Sequence, residues 1–131
     1  MRRVAIVGAS GFTGAELLRL CDAHPQFEVV VATGDRRAGE PMARAFPSLA
    51  AAHGDRTFDD LDLAAVASCD LVFLCLPHEA SMRLVPQLLG SERTVVDLSA
   101  AYRLRDAAAY GRWYGFVHEH PELLGPAAYG L

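Results

Sequence analysis

Three glycines near the amino terminus are spaced for contact with a phosphate group. Gly8, Gly11 and Gly14 follow a short apolar run and precede a stretch with helical periodicity. In this context Gly8 permits a sharp turn, Gly11 lets a diphosphate approach the backbone, and Gly14 lets the helix pack against the sheet. Ser10 and Thr13 add hydroxyl donors, and the helix amino terminus adds free N–H groups and a positive dipole end. The pattern predicts a dinucleotide-binding loop, with a strand-to-helix turn that binds no ligand as the alternative.

A second candidate group runs from Thr33 to Arg37, directly after the second predicted strand. Domains selective for NAD usually carry an acidic residue here, whereas domains that accept NADP place arginine and small hydroxyl residues near the extra phosphate. Arg36 and Arg37 favour NADP because a guanidinium can bind phosphate through two parallel hydrogen bonds. Asp35 favours NAD, and a solvated charged loop without a ligand is the alternative.

Pro77 and His78 follow the most apolar predicted strand, where the nicotinamide end of a dinucleotide would lie. Pro77 fixes the backbone, and His78 either contacts the cofactor or substrate or caps the next helix. Cys75, inside the strand, is expected to pack as a small apolar residue. The same is expected of Cys21 and Cys69, because the cysteine spacing suits neither a disulfide framework nor a zinc site.

Alternating strands and helices are predicted to position these groups. Strands are expected where apolar and β-branched residues are continuous, and helices where apolar residues recur at i, i+3, i+4 and i+7. The predicted strands are Arg3–Val7, Phe27–Ala32, Arg56–Phe58, Asp70–Leu76 and Thr94–Leu98, and the predicted helices are Thr13–His24, Met42–Ala45, Asp60–Ser68, Glu79–Leu89 and Asp106–Tyr114. Short connections between them predict an α/β fold: a Rossmann-like doubly wound parallel sheet in a single dinucleotide-binding domain, residues 1–131, with its ligand at the carboxyl ends of the strands.

Composition limits the alternatives. A chain of 131 residues, 52% hydrophobic and 21% charged, has the size of one globular domain. A net charge of −4 with scattered arginines does not indicate nucleic-acid binding. No apolar run approaches the roughly 20 residues that a membrane span requires. Three cysteines without paired spacing favour a reducing compartment, and the cytoplasm is the expected location.

Several segments, in order over nearly the whole chain, carry a family resemblance: Gly8–Arg19, Leu76–His78, Asp97–Ala100, Arg103–Leu104, Trp113–Gly115, Pro121–Leu124 and Tyr129–Leu131. Together they resemble the amino-terminal part of the N-acetyl-gamma-glutamyl-phosphate reductase family, within the aspartate-semialdehyde dehydrogenase superfamily. The resemblance implies an arginine-synthesis enzyme that uses NADPH to reduce N-acetyl-glutamyl 5-phosphate to the semialdehyde with release of phosphate. The NADP-binding residues that it implies are Gly8, Ser10, Gly11, Phe12, Thr13, Gly14, Thr33, Arg36, Arg37, Leu76, Pro77, His78 and Ser99.

Three departures from the family pattern affect these implications. Ala101 and Tyr102 stand where the family commonly has aspartate and phenylalanine, and Asp35 stands where it tends to carry serine and arginine. The family's cysteine nucleophile lies in a Pro-Gly-Cys segment beyond its Tyr-Gly-Leu element, and its histidine base lies later still. This sequence ends at Leu131, so no catalytic residue is expected in it, because a thiolate must displace phosphate before hydride transfer.

The expectation is therefore an NADP-binding domain that is inactive alone. By the resemblance, a missing carboxyl-terminal domain carries the catalytic residues and most subunit contacts of a homo-oligomer. Its absence is expected to leave residues 113–131 with exposed apolar surface, and mobile or self-associated.

Two other functions fit the sequence. A relative in lysine synthesis reduces an acyl phosphate held on a small acidic carrier protein, and Arg37–Pro41 suits that branch about as well. A non-catalytic nucleotide-sensing module would use the fold for binding alone. An epimerase-like short-chain enzyme is disfavoured, because it would need a Tyr-x-x-x-Lys pair and the chain contains no lysine.

Overall fold

Four parallel strands form one sheet in the computed structural model, which describes residues 1–90 and 92–130. The strands are β1 (Arg2–Val7), β2 (Phe27–Ala32), β3 (Leu71–Leu74) and β4 (Thr94–Asp97). Their order across the sheet is β2–β1–β3–β4, and each neighbouring pair is parallel. The chain thus moves from β1 to one side and later returns to the other, which confirms the predicted doubly wound sheet. The carboxyl ends of β1 and β3 flank the topological switch point, where such sheets bind their ligands.

Helices connect the strands and cover both faces of the sheet. They are α1 (Phe12–Asp22), α2 (Met42–Ala45), α3 (Ala50–His53), α4 (Leu63–Ala67), α5 (His78–Leu88) and α6 (Ala109–Trp113), with 3₁₀ turns at Asp35–Arg37, Pro47–Leu49 and Pro121–Leu123. The bounds of β2 and α2 are as predicted. Helix α6 begins later than predicted because the Asp106 carboxylate accepts a hydrogen bond from the Ala108 N–H at 3.0 Å and holds a turn before the helix. Among the described residues, no helix is long and apolar enough to cross a membrane.

The predicted strand at Arg56–Phe58 is wrong. Within it, Thr57 makes an isolated antiparallel bridge with Pro41, and Asp59, just after it, makes an isolated parallel bridge with Thr33. Proline has no N–H to donate, so the pairing across Pro41 does not extend into a ladder. The prediction also lacked α3, because its three consecutive alanines give no hydrophobic periodicity.

The core lies on both faces of the sheet, and β1 separates its two halves. Val4 and Ile6 pack in the cluster that contains residues of α1, whereas Ala5 and Val7 pack in the cluster that contains residues of α4 and α5. All four side chains are at most 2% exposed. Successive side chains of a strand point to opposite faces, so a continuous apolar run is what a strand covered on both sides requires.

The carboxyl-terminal segment packs more closely than the sequence predicts. Phe116 and Leu124 are 8% and 2% exposed and join Tyr110 in a third apolar cluster. Burying these side chains removes apolar area from water. That residues 113–131 are mobile or self-associated stays a prediction, and Leu131 lies outside the described residues. The predicted exposure of apolar surface is confirmed for three side chains of the same segment: Trp113, Val117 and Tyr129.

Candidate functional site

The glycine loop between β1 and α1 lies at the switch point, and its glycines are under different constraints. Gly8 has a φ of +87°, and a Cβ there would lie 2.4 Å from the Cys75 carbonyl oxygen. A Cβ on Gly14 would lie 2.5 Å from Ala9 Cα and from the Gly8 carbonyl oxygen. At Gly11 the nearest atom would be 3.8 Å away. The fold therefore requires glycine at the first and third positions, whereas at Gly11 the bare backbone leaves room for a ligand.

The amino terminus of α1 is open to the crevice. Gly11 is its N-cap, no described side chain caps it, and its first turn holds no acidic residue. The first N–H groups of a helix have no acceptor within the helix, and the dipole makes this end positive. Phe12 and Thr13 in the first turn are exposed, Phe12 by 90%. The arrangement suits an anion such as a diphosphate.

Hydrogen bonds of the Ser10 and Thr33 side chains join the glycine loop to the segment that follows β2. The Thr33 hydroxyl is buried and accepts a hydrogen bond from the Gly8 N–H at 3.1 Å, while its carbonyl accepts one from the Ala9 N–H at 2.7 Å. The Ser10 hydroxyl donates to the Gly34 carbonyl at 2.9 Å. Both hydroxyls thus tie the loop to the chain that follows β2. A direct contact of either with a cofactor stays a prediction.

The arginine-bearing turn after β2 is exposed. Asp35 has a φ of +49° and begins the 3₁₀ turn that contains Arg36 and Arg37. Arg36 is exposed, and the Arg37 side chain is 46% exposed, with its Nε 3.9 Å from the Glu40 carboxylate. An exposed ion pair at this separation contributes little to stability, so it does not prevent the Arg37 guanidinium from binding a phosphate.

The three cysteines lack the properties of a nucleophile. Burial, followed by the negative charge of Asp97, raises the pKa of the Cys75 thiol to about 11. Burial also raises the thiol pKa of Cys21 and of Cys69, which pack in the two halves of the core. The thiolate is the reactive form, so these thiols are inert at neutral pH. The predicted packing role of the cysteines is confirmed.

Leu76, Pro77 and His78 lead from β3 into α5. Leu76 is half-buried against the core, and Pro77 is the exposed N-cap of the helix. His78 Nδ1 accepts a hydrogen bond from the Ala100 N–H at 2.9 Å, and its ring meets the Tyr114 ring edge-on with 5.1 Å between centroids. No described side chain caps α5. The alternative in which His78 only caps this helix is therefore wrong.

Hydrogen bonds within the loop after β4 engage Ser99. Asp97 Oδ1 accepts from the Ser99 N–H, and Asp97 Oδ2 accepts from the Ser99 hydroxyl, both at 2.9 Å. The Ser99 oxygen accepts in turn from the Ala101 N–H at 3.1 Å. A contact of Ser99 with a cofactor stays a prediction. Sequence reasoning gave Asp97 no role, although a carboxylate that ends a buried strand was an available signal.

An apolar cavity of about 660 Å³ lies away from the glycine loop. It runs along β4 and the carboxyl-terminal segment, where Val85, Leu89, Val95 and Tyr129 line it together with the candidate residue Ser99. The crevice at the switch point offers the uncapped amino terminus of α1 and two exposed arginines for phosphate recognition, whereas mainly apolar side chains, with Asp97 and Arg103, line this cavity. The crevice, and not this cavity, is therefore the candidate cofactor site.

A parallel sheet with a glycine loop and an open helix terminus at its switch point defines the chain as a Rossmann-like dinucleotide-binding domain. Residues 3–114 match the family model described as the semialdehyde dehydrogenase NAD-binding domain. The chain belongs to this family, whose description supports a nicotinamide dinucleotide as the ligand.

The chain is also similar to curated proteins over its whole length. It is 45% identical over 131 residues to the N-acetyl-gamma-glutamyl-phosphate reductase of Marinobacter nauticus and 46% identical over 131 residues to that of Pseudomonas entomophila. The match covers all of this chain and 38% of each relative. The chain thus spans well under half the length of these relatives.

A solved structure has the same fold. It is the aspartate semialdehyde dehydrogenase of Candida albicans with NADP, which aligns with a TM-score of 0.68 at 21% sequence identity. The alignment covers 82% of this chain and 32% of that chain. At this identity the likeness supports the fold alone.

Proposed function

We propose that this chain is the NADP-binding domain of a reductase that converts N-acetyl-glutamyl 5-phosphate to N-acetyl-glutamate 5-semialdehyde and releases phosphate. The observation that carries the cofactor part is the uncapped amino terminus of α1 at the switch point, with open space beside Gly11. The substrate part is supported by the reductase names of relatives 45% and 46% identical over the whole chain.

The residues around the crevice fit the parts of a dinucleotide. The diphosphate lies against the N–H groups of the first turn of α1, where Gly11 allows its close approach. The adenine-ribose end lies toward β2, and the nicotinamide end lies toward β3. When bound, the cofactor supplies the hydride, and the residues of this chain bind and orient it.

Two features support NADP over NAD. Arg36 and Arg37 place two exposed guanidinium groups just beyond β2, where the extra phosphate of NADP would lie. Thr33, which directly follows β2, turns its hydroxyl inward to Gly8 and places no carboxylate beside the ribose. The Asp35 carboxylate opposes this preference by repulsion, and the two arginines outweigh it.

The catalytic groups lie outside this domain in the proposal. The Cys75 thiol, with its pKa raised to about 11, does not displace phosphate at neutral pH. By the family resemblance, the nucleophilic cysteine and histidine base belong to a carboxyl-terminal domain, which also carries the subunit contacts of a homo-oligomer. The chain alone then binds NADPH without turnover. If the chain alone catalysed phosphate-dependent reduction of NADP with the semialdehyde as hydride donor, and Cys75→Ser abolished this activity, this division would be refuted.

Two alternatives remain distinct from the proposal. The lysine-synthesis relative would use the same cofactor site with a carrier-bound acyl phosphate, and the names of the curated relatives favour the arginine branch. A nucleotide-sensing module would bind the cofactor without contributing to a reaction.

The first experiment measures NADPH and NADH binding by calorimetry in the parent and in Gly11→Val. The valine side chain would enter the open space beside the loop, so we expect a folded protein without measurable NADPH binding. Gly125→Val is the matched control, because a Cβ there meets no atom within 4 Å and the position lies outside the crevice. Undiminished NADPH binding by folded Gly11→Val would refute the assignment of this crevice.

The second experiment tests the cofactor preference. The double variant Arg36→Ala/Arg37→Ala is expected to lose about 1–3 kcal/mol of NADPH binding, the scale of charge-assisted hydrogen bonds, while NADH binding stays the same. Arg2→Ala/Arg3→Ala is the control, since it removes the same charge from the amino end of β1, and the crevice lies at the carboxyl ends of the strands. Equal affinity of the parent for NADPH and NADH would refute the preference.

A further inference from the structure

The His78 ring is fixed in place by the loop that follows β4 and by aromatic neighbours. Its Nδ1 accepts the Ala100 N–H at 2.9 Å. The Tyr114 ring meets it edge-on at 5.1 Å between centroids, and the Phe116 ring lies nearly parallel to it at 6.4 Å. The residue nevertheless remains exposed. A surface histidine that served only solubility would need none of these contacts.

The bond from Ala100 determines which ring nitrogen carries the proton. An imidazole nitrogen that accepts a hydrogen bond must present its lone pair, so His78 Nδ1 is unprotonated. The neutral ring then carries its proton on Nε2. His78 is thereby held as a hydrogen-bond donor through Nε2–H.

Buried side chains fix the backbone segment that carries the Ala100 N–H. Ala100 and Ala101 are at most 1% exposed. The Tyr110 hydroxyl donates to the Ala100 carbonyl at 3.0 Å and accepts from the Leu104 N–H at 2.9 Å. His118 Nε2 donates to the Ala101 carbonyl at 2.7 Å, since its Nδ1 accepts from a backbone N–H. The orientation of His78 therefore depends on buried side chains that do not reach the crevice.

The position of His78 selects the part of the cofactor within its reach. His78 begins α5 directly after β3, on one side of the switch point. Arg36 and Arg37 follow β2, on the other side of the glycine loop. A dinucleotide whose diphosphate lies on the glycine loop has its adenosine half toward the arginines and its nicotinamide-riboside half toward His78. That half carries hydroxyl and carboxamide oxygens, which accept hydrogen bonds.

We infer that His78 Nε2–H donates a hydrogen bond to an oxygen of the nicotinamide-riboside half of the cofactor, with Ala100 and Tyr110 as positioning residues. The inference rests on the proposed function and assigns the tautomer, the donor atom and the half of the ligand that it binds.

The test compares NADPH with adenosine 2′,5′-bisphosphate, a ligand that lacks the nicotinamide riboside. In His78→Asn, the amide oxygen can take the place of Nδ1 and still accept from Ala100, but no donor extends as far as Nε2. We expect NADPH affinity to fall about three- to tenfold, the scale of one neutral hydrogen bond. Affinity for adenosine 2′,5′-bisphosphate should not change. His78→Gln, whose amide N–H extends to the position of Nε2, should lose less NADPH affinity than His78→Asn.

His24→Asn is the matched control. His24 is also exposed, and its Nδ1 also accepts a backbone N–H, from Gln26 at 3.2 Å, but it lies before β2 at the opposite end of the sheet. It should leave the binding of both ligands unchanged.

Two results would overturn the inference. One is unchanged NADPH affinity in folded His78→Asn. The other is an equal loss for both ligands, which would show a general effect on the crevice. If the parent binds the bisphosphate but not NADPH, the nicotinamide assignment fails while the phosphate site stands. If the parent binds neither, the proposed function fails together with the inference.

Discussion

Substitution of the loop glycines by alanine should separate the glycine that the fold needs from the glycine that the ligand needs. In Gly8→Ala the new methyl group would lie 2.4 Å from the Cys75 carbonyl oxygen and 3.1 Å from a Leu76 side-chain carbon. The backbone oxygen cannot move without displacing the end of β3. In Gly11→Ala the nearest atom lies 3.8 Å from the methyl group, which is an ordinary contact.

The difference in unfolding free energy between the two variants follows from two energetic costs of alanine at Gly8. An L-residue held at positive φ costs about 1–2 kcal/mol, and overpacking against a close-packed neighbour adds about 1–3 kcal/mol. Gly8→Ala should therefore lower the free energy of unfolding by about 2–5 kcal/mol. At Gly11, the preference for glycine over alanine at an N-cap opposes the entropy that alanine removes from the unfolded chain, so the change should stay within about 1 kcal/mol.

Urea denaturation followed by circular dichroism measures this difference. A domain of ordinary stability unfolds with about 5–15 kcal/mol, so a loss of 2–5 kcal/mol moves the midpoint visibly. Gly11→Ala should unfold at nearly the parent midpoint. The reasoning is refuted if the two variants unfold at the same urea concentration, because the close approach at Gly8 would then carry no energy.

Two further predictions concern buried groups near the crevice. Thr33→Val should destabilise the domain by about 1–3 kcal/mol, because it leaves the buried Gly8 N–H without its acceptor, whereas Thr33→Ser should retain most of the stability; equal denaturation midpoints for the two variants would contradict this. The Cys75 thiol has its pKa raised from 9.0 to about 11, so the folded state keeps a proton that the unfolded chain loses. Its contribution to stability is complete below pH 9 and is lost as the pH rises to about 11. The unfolding free energy of Cys75→Ala should fall less over that interval than that of the parent, and identical pH profiles would contradict the assignment.

Much of the fold could be predicted because its signals are local. Continuous runs of apolar and β-branched residues predict the buried strands β1 and β2. The three regularly spaced glycines lie between β1 and a segment with helical periodicity. The secondary-structure predictions are wrong or incomplete where local sequence signals are absent or ambiguous. Arg56–Phe58 has the composition of a strand, but its partner contains Pro41 and cannot sustain a ladder.

The candidate site also has features that the sequence predicts and features that it does not. Residue types determine that Gly8, Gly11 and Gly14 can form a phosphate-binding turn and that Arg36 and Arg37 can bind a further phosphate. They do not determine which hydroxyls face the crevice. The Ser10 hydroxyl donates to the Gly34 carbonyl and the Ser99 hydroxyl to the Asp97 carboxylate, and the sequence pattern predicts neither pairing.

By itself the sequence determined the alternation of strands and helices and the class of ligand, because periodicity and glycine spacing act within about ten residues along the chain. Tertiary structure alone decided that the Thr33 hydroxyl turns inward to Gly8, that His78 accepts a bond from Ala100, and that Phe116 packs on the domain. The two hydrogen bonds join groups 25 and 22 residues apart. Such bonds form only after the sheet brings distant segments of the chain together, so the packed chain, and not any local pattern, selects the partners.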